Sequence, residues 1–217
     1  MLWNGNLAYI FMPRTGSRSL NAHFAATWQG PLFGTASPAQ LREIKSRSKS
    51  PTFVKLGRGH DNLGQLLDQL YRHGRTVRQM KRIVFVVRNP YHLVSSNYHF
   101  LRDQAAGGHK TANALMAAES SFDEFCARSN HPDPANWMMT DGALLNNMHI
   151  LKFENLAEDV SDFDKGIGVN AMPLPHLNRS KFTHNPSAIF TERSESTVYE
   201  RYRALFELGH YSRREGL

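Results

Sequence analysis

The sequence predicts an α/β fold with a mainly parallel central sheet covered by helices on both faces. Two observations lead there. Short apolar runs at Leu7–Met12, Thr52–Leu56, Ile83–Val87 and His149–Phe153 alternate with longer helical stretches, an order that implies strands joined by crossover helices. The first three runs are continuous rather than alternating in polarity, as befits strands buried on both faces.

The helices follow in turn. One opens near Ser17 and runs towards Trp28. Ser37-Pro38 supplies an N-cap and a proline at the first helical position. Leu63–Arg72 and Tyr91–Arg102 form two more, and Ser121-Phe122-Asp123-Glu124 is a capping box before a further short helix. The last helix, about Glu195–Leu208, carries Val198, Tyr202, Leu205 and Phe206 on one stripe and ends at Gly209. Loops are expected at Ala105–Lys110, Ser129–Asn136 and Met172–Ser187.

The chain has 217 residues, enough for one domain over 1–217 with a sizeable core. Its net charge of +7 favours an anionic ligand: a nucleotide cofactor, a polyanionic sugar or nucleic acid. The basic residues form no tail, which disfavours a flexible nucleic-acid arm. A single cysteine, Cys126, excludes an internal disulfide and a cysteine-rich zinc site. Cys126 is expected to be a small core residue. No signal-peptide pattern opens the sequence and the longest clean apolar run, Ile83–Val87, is far too short to span a bilayer. A cytoplasmic protein with no membrane and no nucleic-acid partner is expected.

Phe11-Met12-Pro13-Arg14-Thr15-Gly16-Ser17-Arg18-Ser19-Leu20 follows the first strand directly. A strand running through such a loop into a helix gathers backbone N–H groups and a helix N-terminus at one point, a natural seat for phosphate or sulfate. Its shape is that of a Walker A loop, but the lysine before the final hydroxyl residue is absent and the basic residue stands early, at Arg14. The strand Ile83–Val87 ends in Arg88. A Mg²⁺-dependent phosphoryl-transfer enzyme would usually place a carboxylate there. Arg88 suits an anion directly, and Ser96 on the following helix offers a hydroxyl to the same group. No His-Glu-x-x-His or comparable metal spacing occurs, so no metal is expected.

Together these segments resemble the cofactor-binding elements of the sulfotransferases, a P-loop-like family of three-layer domains. That family uses 3′-phosphoadenosine 5′-phosphosulfate (PAPS) and releases PAP. The resemblance implies that Arg14, Thr15, Gly16, Ser17, Arg18 and Ser19 hold the phosphosulfate, Arg14 standing where the family has lysine. It also implies that Arg88 and Ser96, eight residues apart, hold the 3′-phosphate, and that Arg179 and Ser180 close over it. Weaker matches lie at Ser121–Phe125, Leu151–Leu156 and Leu174–Ser180. Arg18 departs from the family's small hydroxyl residue; it is read either as a second cation at the phosphosulfate or as a side chain turned to solvent.

His60, in Lys55-Leu56-Gly57-Arg58-Gly59-His60, resembles the histidine that follows the second strand in sugar-acting members. It is expected to be the general base, with Arg14 stabilising the transferring group. The function implied is in-line transfer of a sulfuryl group from PAPS to a hydroxyl acceptor, a carbohydrate. Two other readings stand beside it: a P-loop-type small-molecule kinase and a non-catalytic polyanion-binding module.

Overall fold

The computed structural model describes residues 1–48, 52–57, 61–129, 135–170, 172–177 and 188–217. The chain divides into two compact units, one formed by Met1–Val87 with Asn136–Arg179, the other by Arg88–Ala135 with Ser180–Leu217.

The first unit carries the sheet. Its strands are β1 (Leu2–Trp3), β2 (Leu7–Ile10), β3 (Leu32–Thr35), β4 (Phe53–Gly57) and β5 (Arg82–Val87). A hairpin of β6 (Met139–Thr140) and β7 (Ala143–Leu144) lies apart, and β8 (Met148–Lys152) completes the main sheet. The order is β4-β3-β1-β2-β5-β8. The pairs β3–β4, β2–β5 and β5–β8 are parallel, while β1 is antiparallel to both β2 and β3. The predicted fold class, α/β with a mainly parallel central sheet, is therefore the one observed.

Strands running the same way in one sheet are joined by crossovers. These are α1 (Ser17–Thr27) between β2 and β3, α2 (Pro38–Arg47) between β3 and β4, and α3 (Leu63–Arg72) between β4 and β5. Every residue of β2, and of β5 from Ile83 to Val87, is buried, which accounts for their unbroken apolar sequences. On one face Tyr9, Phe11, Val84 and Val86 meet Leu20 and Phe24 of α1, Ile44 of α2 and Val160 and Phe163 of α8 (Leu156–Gly166). The Phe24 ring stacks on Trp28 with centroids 4.5 Å apart. Burial of each such side chain contributes about 1.5–3 kcal/mol.

The second unit is helical: α4 (Pro90–Ala106), α5 (Ala112–Glu119), α6 (Phe122–Arg128), α9 (Glu192–Arg201) and α10 (Arg203–Gly209), with the short α7 (Ala135–Met138) at the passage back into the first unit. Tyr98 of α4 packs its ring against Phe122 and Phe125 of α6, at 5.1 and 5.0 Å. The capping box at Ser121/Glu124 forms as expected, and Ser37, the expected N-cap, forms a second one with Gln40.

Three expectations are corrected. The strands β1 and β3 have no counterpart in the sequence reading. The final helix is two helices broken at Tyr202, and it starts earlier, at Glu192 with Thr191 as its N-cap. The expected loop Ser129–Asn136 runs into α7. Among the described residues no helix is long and apolar enough to cross a membrane.

Candidate functional site

In the first unit the chain leaves β2 through buried Phe11 and Met12, and then exposes Pro13. Arg14 and Gly16 both take left-handed backbone conformations, at φ 66° and 75°. A non-glycine residue held there costs about 1–3 kcal/mol and is a kind of strain that concentrates at ligand sites. Between them Thr15 is fully buried, and its hydroxyl donates to the Met12 carbonyl at 2.8 Å, tying the loop back on itself.

Gly16 opens α1, whose first turn contains no acidic residue. The helix's first internal bond runs from Leu20 N–H to Gly16 O at 3.1 Å. The N–H groups of Ser17, Arg18 and Ser19 therefore precede the first intrahelical donor, at the positive end of the helix dipole. Glycine is needed at 16 for a second reason. A Cβ there would stand 2.9 Å from Cδ2 of Leu156 and 3.5 Å from the Phe153 ring. The loop, α1 and the start of α8 thus fit together closely, and the residues of the loop suit a tetrahedral anion.

Two further side chains of this loop reach other parts of the unit. Ser19 Oγ accepts from the Leu177 N–H at 3.0 Å, fastening the segment 172–177 to α1. Arg18 forms an ion pair with Glu43 of α2, Nη2 to Oε2 at 3.4 Å. Ser17 and Arg14 are half-buried.

The carboxyl ends of β2 and β5 lie side by side, since Ile10 pairs with Phe85 in parallel register. Arg88 follows the last residue of β5 and begins the second unit, half-buried. Asn89 then caps α4: its Oδ1 accepts from the Tyr91 N–H at 3.0 Å, and Pro90 occupies the first turn. Ser96 sits half-buried on the same helix.

The chain's last turn folds onto the start of α4. Asn89 Nδ2 donates to the Glu215 carbonyl at 2.8 Å, and His92 Nε2 lies 3.1 Å from the Gly216 carbonyl. Tyr91 donates its hydroxyl to Glu195 Oε1 at 2.8 Å. Arg213 grips the same carboxylate through Nε and Nη2 at 2.9 and 3.0 Å. Hydrogen bonding from Arg213 is the largest cause holding Glu195 well below the usual carboxylate range, at about 2. Arg214 has φ 64° and a largely exposed guanidinium.

Sequence reasoning passed over this cluster. The Asn-Pro pair before a helix was a readable cap signal. The partnership of Tyr91 with Glu195, by contrast, links residues too far apart for any local pattern.

His60, Arg58 and Gly59 lie outside the described residues, as do Arg179 and Ser180. The segment that holds His60 is bracketed by β4 and by Asn62, the N-cap of α3. Among the described residues no group of histidine, cysteine, aspartate and glutamate could hold a metal ion. Cys126 is 1% exposed, and burial pushes its thiol up to about 12.

No protein-family model matches the chain, and no curated protein matches it. Among solved structures, the sulfotransferase domain from the curacin biosynthetic pathway is similar at 12% identity and a TM-score of 0.46, over 97% of this chain and 99% of that one. Mouse sulfotransferase SULT7A1 complexed with PAP is similar at 13% identity and a TM-score of 0.46, over 97% of this chain and 90% of that one.

Proposed function

We propose that this chain is a PAPS-dependent sulfotransferase that transfers a sulfuryl group to a hydroxyl, with a carbohydrate as acceptor. The observation that carries this reading is the loop after β2. Arg14 and Gly16 are both left-handed there, and they open a helix with no acid in its first turn. The neighbouring parallel strand, β5, leads into arginine instead of the carboxylate that a Mg²⁺-dependent kinase would need. The absence of a loop lysine ahead of Ser17 likewise disfavours a kinase.

Bound at this loop, PAPS would supply an activated sulfuryl group. The backbone N–H groups of residues 16–19 and the two-pronged guanidinium of Arg14 meet the negative charge that develops on the transferring and bridging oxygens. Because these donors are already fixed, little reorganisation is spent in the reaction. Thr15, bonded to Met12, and Ser19, bonded to Leu177, shape the loop. Arg88 and Ser96 take the 3′-phosphate, with Arg179 and Ser180 closing over it. His60 would accept the proton of the acceptor hydroxyl during transfer of the sulfuryl group.

The test is titration calorimetry with PAP and with ATP–Mg²⁺, followed by a transfer assay. PAP should bind without metal, and Arg14→Ala and Arg88→Ala should each weaken it. His60→Ala should keep PAP affinity and lose about 10²–10⁴-fold in rate. Tight ATP–Mg²⁺ binding with none for PAP would overturn the assignment in favour of the kinase.

A further inference from the structure

The strongest concentration of charge lies at the other end of the strands. Between α3 and β5 the chain reads Arg72-His73-Gly74-Arg75-Thr76-Val77-Arg78-Gln79-Met80-Lys81-Arg82, with five cations and no acid. All five are exposed. Arg72 pairs with Asp68 one turn back. Among the described residues Arg75, Arg78, Lys81 and Arg82 form no ion pair.

This segment is held rigidly. Asn147 Nδ2 donates to the carbonyls of Val77 and Met80 at 3.1 and 2.7 Å. Lys81 N–H bonds Asn6 O at 2.7 Å, and Arg75 N–H bonds Leu70 O at 2.8 Å. Arg75 lies over the turn between β1 and β2, its Nη2 3.9 Å from where a Cβ of Gly5 would be. Arg75, Lys81 and Arg82 therefore surround the Asn4–Asn6 turn.

Beside that turn is a cavity of about 600 Å³, between the carboxyl ends of α1 and α8. Lys81, Arg82, Asn6, Gln29 and Gly168 line it, and no acidic residue does. Each of the two helix ends carries roughly half a negative charge, so two cations leave the site net positive by about one. The His149 imidazole is depressed by burial first and by the charge of Arg82 second, with Asp159 opposing. β5 spans six residues, about 20 Å, so this edge is separate from the loop after β2.

We propose that the amino edge of the sheet binds an acidic glycan. Its carboxylate or sulfate groups are held by Arg75, Lys81 and Arg82, and a sugar ring is seated in the cavity against the side-chain amides of Asn6 and Gln29. Exposed amides beside unpaired cations match a ligand that alternates hydroxyls with anionic groups. The choice of a glycan over another polyanion rests on the carbohydrate-acceptor reading above. On that reading the surface grips the chain being modified at a point remote from the reacting hydroxyl.

The full chain is titrated with a heparin oligosaccharide as probe, at several salt concentrations. Affinity should fall about 20- to 40-fold between 50 and 200 mM salt, as for release of some three counterions. R75E/K81E/R82E should abolish binding and the salt slope, with an unchanged circular dichroism spectrum. Should that triple variant fail to fold, Lys81→Gln alone should lower affinity in the same direction. Arg14→Ala should bind the probe like the unaltered chain. Retained binding in the triple variant, or loss in Arg14→Ala instead, would overturn the proposal. Competition by single-stranded DNA of equal charge at equal strength would overturn the glycan assignment. PAP titration of the same samples separates the two readings: heparin binding through these cations with no PAP binding sinks the sulfotransferase and keeps this surface.

Discussion

His23 on α1 and Asp164 on α8 meet at 2.8 Å, Nε2 to Oδ2, with side chains 1% and 0% exposed. The other carboxylate oxygen of Asp164 is buried and has no hydrogen-bond partner among the described residues. α8 and the turn before it thus hold α1 at two levels: through this polar contact inside the core, and through Leu156 and Phe153 against Gly16 where the helix begins. Truncating either partner leaves a buried polar group alone, so His23→Ala and Asp164→Ala should each cost about 2–5 kcal/mol in urea unfolding. The double variant H23L/D164L should cost clearly less than the two single changes together. Additive losses would show that the two side chains do not act as a pair.

Gly16→Ala tests the close approach at the head of α1. A left-handed alanine costs about 1–2 kcal/mol, and the contact with Leu156 adds about 1–3 kcal/mol. Leu156→Ala made in the same chain should recover part of the loss, because it removes the atom in the way. Affinity for PAP, measured alongside stability, should fall in Gly16→Ala.

The cluster around Glu195 sets an acid limit on stability. Its carboxyl is held at about 2 in the folded chain, chiefly by Arg213, against an ordinary value of 4.5. The unfolded chain therefore takes up this proton first. The stabilisation is complete above about pH 4.5 and is lost as the pH falls towards 2. At 1.36 kcal/mol per unit this amounts to about 3 kcal/mol for the 3%-exposed carboxylate. Unfolding free energies recorded from pH 6 to pH 2.5 should show that decline, and Glu195→Gln should flatten it and lower stability at pH 6.

Cys126 should be inert. Burial raises its thiol to about 12, so almost no thiolate exists near neutrality. A disulfide reagent such as DTNB should react with the native protein only at the rate of unfolding, and at once after denaturation. Prompt reaction in the native state would contradict the enclosed position of this side chain.

The elements that could be read from sequence were those whose local chemistry and tertiary setting agree. β2 and β5 are apolar throughout because both faces are covered, and Ser37, Ser121 and Gly16 carry their structural roles in their own residue types. β3 escaped because Leu32-Phe33-Gly34-Thr35 follows a proline and contains a glycine, which reads as a turn. Gly34 is required there by a neighbour instead: a Cβ would stand 2.7 Å from the Met1 carbonyl. β1 has only two residues, too few to show a period. The hairpin of β6 and β7 was legible after all, since Asp141-Gly142 takes the left-handed pair of angles, φ 52° and 74°, that this dipeptide favours. The break at Tyr202 has no glycine or proline to mark it. It accompanies burial of Tyr202, Leu205 and Phe206, a demand of the tertiary structure. For the candidate site, residue types and spacing named the loop. The ion pair between Arg18 and Glu43 and the anchoring of Leu177 by Ser19 depend on contacts that only the folded chain creates.

The place of β8 beside β5 bears on how the protein is made. Until residues 88–152 have left the ribosome, the outer edge of Ile83–Val87 has no partner and offers a bare, wholly apolar ribbon to any other nascent chain. Translation speed across that interval, and chaperone capture during it, should govern the yield of soluble protein more than the stability of the finished molecule does.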